Sequence, residues 1–552
     1  MYDAVQKYRP EAEKSTFNVK VSLEPVKDIH LNANLEGDGD KDYVYIFSVI
    51  ALFILIIACI NFMNLSTARS IKRAREIGLR KIVGASKLQL IRQFLTESIL
   101  LSLIAFIIGM ALLESIMPIF RELVGKNLDI HYFNNFVVLP CLIGFAIIVG
   151  IFAGSYPAFV LSSFKIMEVL KGTYSSDSTK SPFRTGLVIL QFSISIILVI
   201  GTAFIYKQLI YIQNADVGFD REQIVTIPIT NEFKYNYGAI KQEFKSLPGV
   251  VNVTTSNRLP NSIGNINPVY WEGKTFEDKV TINFVSVDFD YIETLDMEML
   301  MGRSFSREFP TDSSNYIINE AAWKLTKLED PIGKMFSIWQ NEGKIIGVVK
   351  NFNFRTLHNE IDPIVMTFTP GWYFSPYFLI RIDTHNTNET IKNLENTLRK
   401  FNPDYPFEYR FLDEAFEAQY GQEQRLATIY RYFAFLAIFI SCLGLFGLAS
   451  FMAENRTKEI GIRKVHGAKV SGIIILLGSD FTKWVLVACP IAWLIAYYGI
   501  DKWLQDFAYR TSLSVWVFVA ASILALIIAL LTVSYQAIKT ARANPVNTLQ
   551  YE

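Results

Sequence analysis

The sequence predicts an α-helical membrane protein with about seven transmembrane helices in two repeated units, carrying an α/β (α+β) extracytoplasmic domain. Three observations predict it. Seven apolar stretches are long enough to cross a bilayer. One charged, glycine-punctuated phrase occurs twice, as REIGLRKIVGAS at 75–86 and KEIGIRKVHGAK at 458–469. Between the fourth and fifth apolar stretches, residues 208–427 alternate β-rich and helical runs.

Half of the chain is apolar and its mean hydropathy is positive, so membrane spans are the first expectation. A net charge of +1 gives no reason to expect nucleic acid as a partner. Cys59, Cys141, Cys442 and Cys489 all lie in apolar runs, which leaves no disulfide framework for a soluble part. The five histidines are scattered without ligand spacing, and no metal site is expected.

The spans are expected at 44–66, 95–119, 136–162, 185–206, 430–453, 482–500 and 513–538. A hydrocarbon core of about 30 Å needs about 20 helical residues. The sixth is the weakest, with Lys483 and Pro490 inside it, and the repeat requires it. Lysine and arginine bias sets the orientation. Arg69, Lys72, Arg73, Arg75, Arg80, Lys81, Lys87 and Arg92 follow the first span, and Arg456, Lys458, Arg463, Lys464 and Lys469 follow the fifth. Both segments are expected in the cytoplasm, which puts 121–135, 208–427 and 501–512 outside. Residues 1–43 then also lie outside without an apolar signal region, so the chain reads as one that begins late.

Setting Glu76 against Glu459 aligns the halves with an offset of 383, the difference between the two numbers. Ile77, Gly78, Arg80, Lys81, Gly84 and Ala85 then meet Ile460, Gly461, Arg463, Lys464, Gly467 and Ala468. The same offset pairs Cys59 with Cys442 and Glu97 with Asp480, these last at the expected start of the next span. Farther on, SYPA at 155–158 meets SYQA at 534–537, after a small slip placed in the outer loops. A match through span, loop and span is an internal duplication. FNVKVSLEPV at 17–26 reads as the last strand of an outer domain, as FEYRFLDEAF does at 407–416.

In the outer region QIVTIPI, VVNVTTS, VTINFVSV, KIIGVV and YFLIRI read as strands, with helices near 234–246, 316–327 and 386–400. Its aromatics read as core. GKT at 273–275 lacks a phosphate-loop glycine, because Pro268 stands where the motif needs one. No serine, cysteine or zinc signature of an enzyme is present, so no catalytic residue is assigned.

The central parts of the seven spans lack Asp, Glu, Lys, Arg and His. A charge at the bilayer centre costs at least ~2.5 kcal/mol and is retained for function. Ion coupling and intramembrane catalysis are therefore not expected, and no polar channel lining is evident. Asn61 and Asn64 are read as helix-to-helix hydrogen-bonding residues. Energy must then come from a partner, and the repeated phrase is the expected socket. Glu76–Arg80 and Glu459–Arg463 have the i,i+4 spacing that supports a helix, and Gly84 and Gly467 allow a turn back to the membrane. Topology alone needs charge only, so it leaves the recurrence of Glu, Ile and both glycines unexplained.

CINFMNLSTARS followed by REIGLRKIVGAS resembles the FtsX/MacB-like permease family of ABC transporters. FRTGLVILQFSISI, ADVGFDREQIVTIPI, INEAAWKL, DPIGKMF and IIGVVKNFNFRTLHNEIDPIV resemble the approach to, and body of, its MacB-type periplasmic core domain. ARANPVNTLQYE resembles the tail of the same permeases. The resemblance implies a remnant of a first extracytoplasmic domain at 1–43, an FtsX-like permease unit at 44–172, a transmembrane helix at 185–206, a MacB-like core domain at 207–428 and a second FtsX-like unit at 429–552. The family's duplicated permeases have eight spans, so this chain departs from them by lacking the first span and most of the first outer domain.

Further implications concern mechanism. A separate ATPase subunit, in two copies, binds ATP and Mg and presses on Glu76, Gly78, Arg80, Lys81, Gly84, Glu459, Gly461, Arg463, Lys464 and Gly467. The chain itself holds no cofactor. The stroke moves the outer domain and serves efflux or extrusion of an antibiotic, peptide or lipoprotein-like substrate, with membrane lipid and a membrane-fusion protein or periplasmic partner alongside. The alternative is a signalling membrane protein that senses a ligand or controls a cell-wall enzyme. The expected location is the bacterial inner membrane.

Overall fold

Uninterrupted apolar sequence makes the first elements long helices, because a chain in lipid must satisfy every backbone group internally. The computed structural model describes residues 41–542 apart from 73, 125–136, 163–181, 231–232, 234, 265, 275–279, 339–340, 369–375, 405, 457–458, 461 and 464–465. The strand expected at 17–26 and residues 1–40 of the remnant expected at 1–43 lie outside the described residues, and 41–43 belong to the first helix. Among the described residues, seven helices are long and apolar enough to cross a membrane. They are α1 (Lys41–Lys72), α3 (Lys87–Val124), α4 (Val138–Ser162), α5 (Pro182–Gln213), α11 (Gly421–Asn455), α12 (Val470–Leu504) and α13 (Val515–Arg542), with the short α2 (Ala74–Ile82) after the first.

Five of them overrun the expected stretches at both ends; α4 and α13 each start two residues later than expected. The sixth begins at Val470 rather than 482, because apolar GIIILL extends its amphipathic start. Glu97 and Asp480 consequently lie ten residues inside α3 and α12, not at helix starts. Asp480 pairs with Arg456 at 3.4 Å.

The chain divides into two compact units: Met1–Val199 with Tyr432–Ala492 and Ala520–Glu552, and Ile200–Arg431 with Trp493–Val519. In the first, small residues set the helix contacts. On α4, Gly150 and Gly154 form a GxxxG pair whose added Cβ atoms would strike the Ile99 backbone at 2.9 Å and the Ser98 side chain, so α3 and α4 lie backbone to backbone. Asn61 on α1 donates from Nδ2 to the Ile440 carbonyl of α11 at 2.6 Å, as expected of it. Its side chain fills the space over Gly444, and Leu65 fills that over Gly447. Buried Asn64 lies one turn from Asn61 on the same helix.

α5 carries polar residues that hydropathy passes over. Gln191 donates to the Ser441 carbonyl at 3.1 Å, and the Ser195 and Ser441 hydroxyls lie 2.8 Å apart. Ser193 donates to its own helix at Ile189 and, at 3.4 Å, to Ala488 of α12. A cavity of about 30 Å³ beside this seam is lined by Ser195, Ser441, Cys442 and apolar side chains. The seam is polar but carries no Asp, Glu, Lys, Arg or His, and its residues serve helix contacts.

The second unit holds the α/β domain. Six strands close on themselves: β4 (Thr281–Val287), β3 (Ile266–Trp271), β7 (Met335–Ile338), β8 (Asn341–Val349), β6 (Tyr316–Asn319), β9 (Ile364–Phe368) and back to β4. β5 (Met299–Gly302) lies on β8. Val269, Phe284, Ile318, Phe336, Ile345 and Val365 fill the interior. An open antiparallel sheet, ordered β11 (Arg410–Phe411), β1 (Ile224–Pro228), β10 (Tyr377–Ile382), β2 (Val250–Ser256), adjoins β4 at Ser256 and Val287.

Alternation decides the faces of that sheet. Val225, Ile227, Phe378 and Ile380 meet Phe244 of α6 (Tyr237–Ser246) and Leu394 and Leu398 of α9 (Thr387–Phe401). Ile224 and Leu379 point into the opposite core with Tyr291, Phe352 and Phe416. Each leucine buried under α9 contributes roughly 1.5–3 kcal/mol.

Two expectations are overturned here. Within 316–327, Tyr316–Asn319 is strand β6, buried on both faces, and only Glu320–Thr326 is helix (α8). Asn319 makes the change, its side chain accepting from Ala322 N at 2.9 Å as the helix N-cap. FEYRFLDEAF keeps two strand residues, and Leu412–Gln419 is helix α10. Leu412 and Phe416 are buried at i,i+4 spacing, with Asp413 and Glu414 in the first turn, and that periodicity prevails over alternation. The helix expected near 234–246 starts at Tyr237. Tyr291–Thr294 forms one further short turn of helix, α7.

Candidate functional site: two matched handles

Each handle begins where a span ends. In α2, Glu76 lies in the first turn and Arg80 and Lys81 in the last, the signs that suit the helix dipole. Arg80 Nη2 donates to Glu76 Oε1 at 2.6 Å. In the second handle Arg463 pairs with Glu459 at 2.8 Å. Both pairs are about half exposed, so each is worth only ~0.3–0.5 kcal/mol and explains little stability. Ile77 and Ile460 are each 3% exposed and anchor the opposite side, Ile77 among Leu90, Phe94 and Ala158.

The turns that close the handles are alike. Ala85 N donates to Arg80 O and Ala468 N to Arg463 O, both at 2.9 Å. Gly84 (φ +103°) and Gly467 (φ +86°) sit between, in the left-handed conformation that lets the chain reverse. Gly84 N also donates to Lys81 O, which completes a Schellman motif in the first handle. Lys81 reaches the Ser162 carbonyl at the end of α4 at 2.8 Å. Burial first, then the Lys87 charge, push its ammonium below the usual lysine value.

The expected residues therefore occupy two distinct patches, one per repeat. Glu76, Gly78, Arg80, Lys81 and Gly84 form the first, with Gly78 buried. Glu459, Arg463 and Gly467 form the second; Gly461 and Lys464 lie outside the described residues.

Sequence reading misses a second feature, a joint within the unit that holds the α/β domain. Gln208, 1% exposed near the end of α5, donates to Tyr509 O at 2.9 Å and accepts from Thr511 N at 2.8 Å. The backbone of 508–509 donates to the carbonyls of His358 and Leu357 at 3.1 and 3.2 Å. Leu357 N donates to Tyr420 Oη at 2.8 Å. The His358 ring stacks on Phe507 and lies 3.1 Å from Glu423. Ile212, Leu357, Tyr420 and Phe507 form its buried centre. The domain loop, the ends of α5 and α12 and the start of α11 are thus tied together. The one clue in sequence is Gln208, a polar residue beside Lys207 at the edge of the fourth apolar stretch; its own partners are backbone groups.

Comparison with known proteins places this geometry. The family described as FtsX-like permease C-terminal matches residues 48–166 and 431–545, each match containing one handle and its flanking spans. Both repeated units of the chain belong to the FtsX-like permease family. This FtsX-like permease is 33% identical over 122 residues to the macrolide export ATP-binding/permease protein MacB of Bdellovibrio bacteriovorus, covering 22% of the chain and 18% of that relative. It is 34% identical over 109 residues to MacB of Chlorobaculum tepidum, covering 20% and 16%. With the pyoverdine export ATP-binding/permease protein PvdT of Pseudomonas putida it shares 33% over 112 residues, again 20% and 16%. The chain thus spans under a fifth of the length of the curated relatives it matches. Among solved structures, the periplasmic region of MacB from Actinobacillus actinomycetemcomitans matches 37% of the permease and 96% of that chain at 16% identity and a TM-score of 0.28.

Proposed function

We propose that this chain is the permease subunit of an ABC transporter, driven by a separate ATPase that binds ATP and Mg and docks, in two copies, on the two handles. The observation that carries the reading is the twofold recurrence of one exposed geometry: a Glu–Arg pair outward, an isoleucine inward and a left-handed glycine at the exit. Weak ion pairs recurring in place on a duplicated chain fit selection by a partner that reads the same shape twice.

A push on α2 reaches α3 and α4 through Ile77 and Lys81, and the second handle lies between α11 and α12 in the chain. The joint around Gln208 and Leu357 ties the α/β domain to the ends of α5, α11 and α12, so motion of those helices moves the domain. Charge bias supports the handles in the cytoplasm and the domain outside a bacterial inner membrane. The relatives' names, macrolide export and pyoverdine export, support extrusion of a bulky antibiotic- or peptide-like substrate from the outer side. Membrane lipid, and a membrane-fusion protein or periplasmic partner, complete the assembly.

The test replaces Glu76 and Glu459 together by alanine. Insertion should persist, while stimulation of the ATPase by the reconstituted permease should fall about tenfold, as for loss of about 1.4 kcal/mol of docking. Unchanged stimulation removes the reading.

A further inference from the structure

Resting on that reading, we propose that the two handles are unequal: the first is a stiff, apolar anchor that holds its ATPase firmly, and the second is a weaker, more yielding contact. The repeat makes the comparison residue by residue. Arg80 is braced by Gln93, whose Oε1 accepts from Nη1 at 2.7 Å. The counterpart of Gln93 is Leu476, which cannot accept that bond. After the first turn, Ser86 N donates to Gln89 Oε1 at 2.8 Å and Gln89 N to Ser86 Oγ at 3.3 Å, a reciprocal capping box that fixes the start of α3. Their counterparts are Lys469 and Gly472, so α12 starts on backbone bonds to Lys469 O, with a glycine in its first turn.

The faces differ as well. Leu79, Ile82 and Val83 are 60%, 52% and 86% exposed beside exposed Arg80, Lys87 and Arg92. In the second handle Ile462 replaces Leu79, and the polar His466 stands where the most exposed apolar residue, Val83, stands in the first. An apolar patch among cations fits an apolar pocket with an acidic rim. A symmetric ATPase dimer presents that pocket twice, so a duplicated but divergent permease is gripped by two identical hands at two different handles. The firm site keeps the ATPase bound through the cycle, and the weak one follows its motion.

The experiment uses the full chain in nanodiscs and a purified ABC ATPase of the same genome that binds the unaltered chain. Val83→Asp should lower ATPase retention about tenfold, as loss of a central apolar contact does, and His466→Asp by no more than about threefold. Grafting the brace and face onto the second handle (H466V, K469S, G472Q, L476Q) should raise retention. Equal losses from the two aspartates, or a graft without effect, overturn the proposal while leaving the handles as docking sites. If neither aspartate changes retention, the proposed function fails with it. A difference that vanishes in phosphatidylcholine nanodiscs lacking anionic lipid assigns the patch to lipid headgroups and also overturns the proposal.

Discussion

The two repeats share the Glu–Arg helix and glycine turn of their handles and disagree where they touch one another. Glu76, Ile77, Arg80 and Gly84 recur as Glu459, Ile460, Arg463 and Gly467. At the crossing of α1 and α11, by contrast, Asn61 faces its own counterpart, Gly444, and position 447, the counterpart of Asn64, is also glycine. Where equivalent residues meet, an identical pair must occupy one space twice: two asparagines would overlap, and two glycines would leave a void. A large residue opposite a glycine solves both. Duplication thus preserves the Glu–Arg pair and the glycine turn and forces divergence on the axis between the copies.

The largest effect should come from breaking that axis. A Cβ at 444 would lie 2.7 Å from Asn61 Nδ2 and closer still to the rest of that amide, so Gly444→Ala should destabilise the bundle by about 1–3 kcal/mol, read as lost thermal stability in detergent. Adding Asn61→Ala should restore most of it, since the pair is in contact. Gly447→Ala should cost less, because Leu65 is 37% exposed and can turn aside.

The joint in the α/β unit offers a contrast without symmetry. Gln208→Leu leaves a buried donor and acceptor of the 509–511 backbone unpaired and should cost about 1–3 kcal/mol, seen as faster hydrogen exchange at those amides. Gly84→Ala and Gly467→Ala probe the regions that agree, and each should lose about 1–2 kcal/mol locally because the left-handed turn strains any side chain. Near-equal losses sharpen the comparison; a loss at one turn alone breaks it. Labelling tests the orientation that both share: Leu300→Cys should react from outside and His466→Cys only after permeabilisation.

The smallest effect concerns pH in the α/β domain. Burial raises the Asp312 carboxyl, but the Arg303 guanidinium (2.6 and 2.9 Å), Ser306 N and Asn315 outweigh it and hold it below the usual carboxylate value. A lowered folded value contributes stability that is present above the ordinary carboxylate range, about pH 4, and is lost as pH falls through the lowered one. Asp312→Asn should flatten that acid limb in a denaturation series.

Legibility in the sequence followed the range of each interaction. The spans, the Glu–Arg helices and the glycine turns were readable because each depends on neighbours within a few residues, and the duplication states them twice. FEYRFLDEAF misled because strand alternation and helical spacing coexist in it, and only burial of Leu412 and Phe416 chose between them. The closed barrel was invisible, because β4 closes on β9 some 80 residues away, as Asn283 does on Ile364.

By itself the sequence determined the membrane class, the repeat and the local turns of the repeated phrase, since hydropathy and local helix signals need no fold to act. Tertiary structure alone decided the Asn61–Gly444 axis, the polar seam from Gln191 to Ser441 and the joint around Gln208. Each joins residues hundreds of positions apart through backbone carbonyls, which every residue carries and no sequence pattern marks.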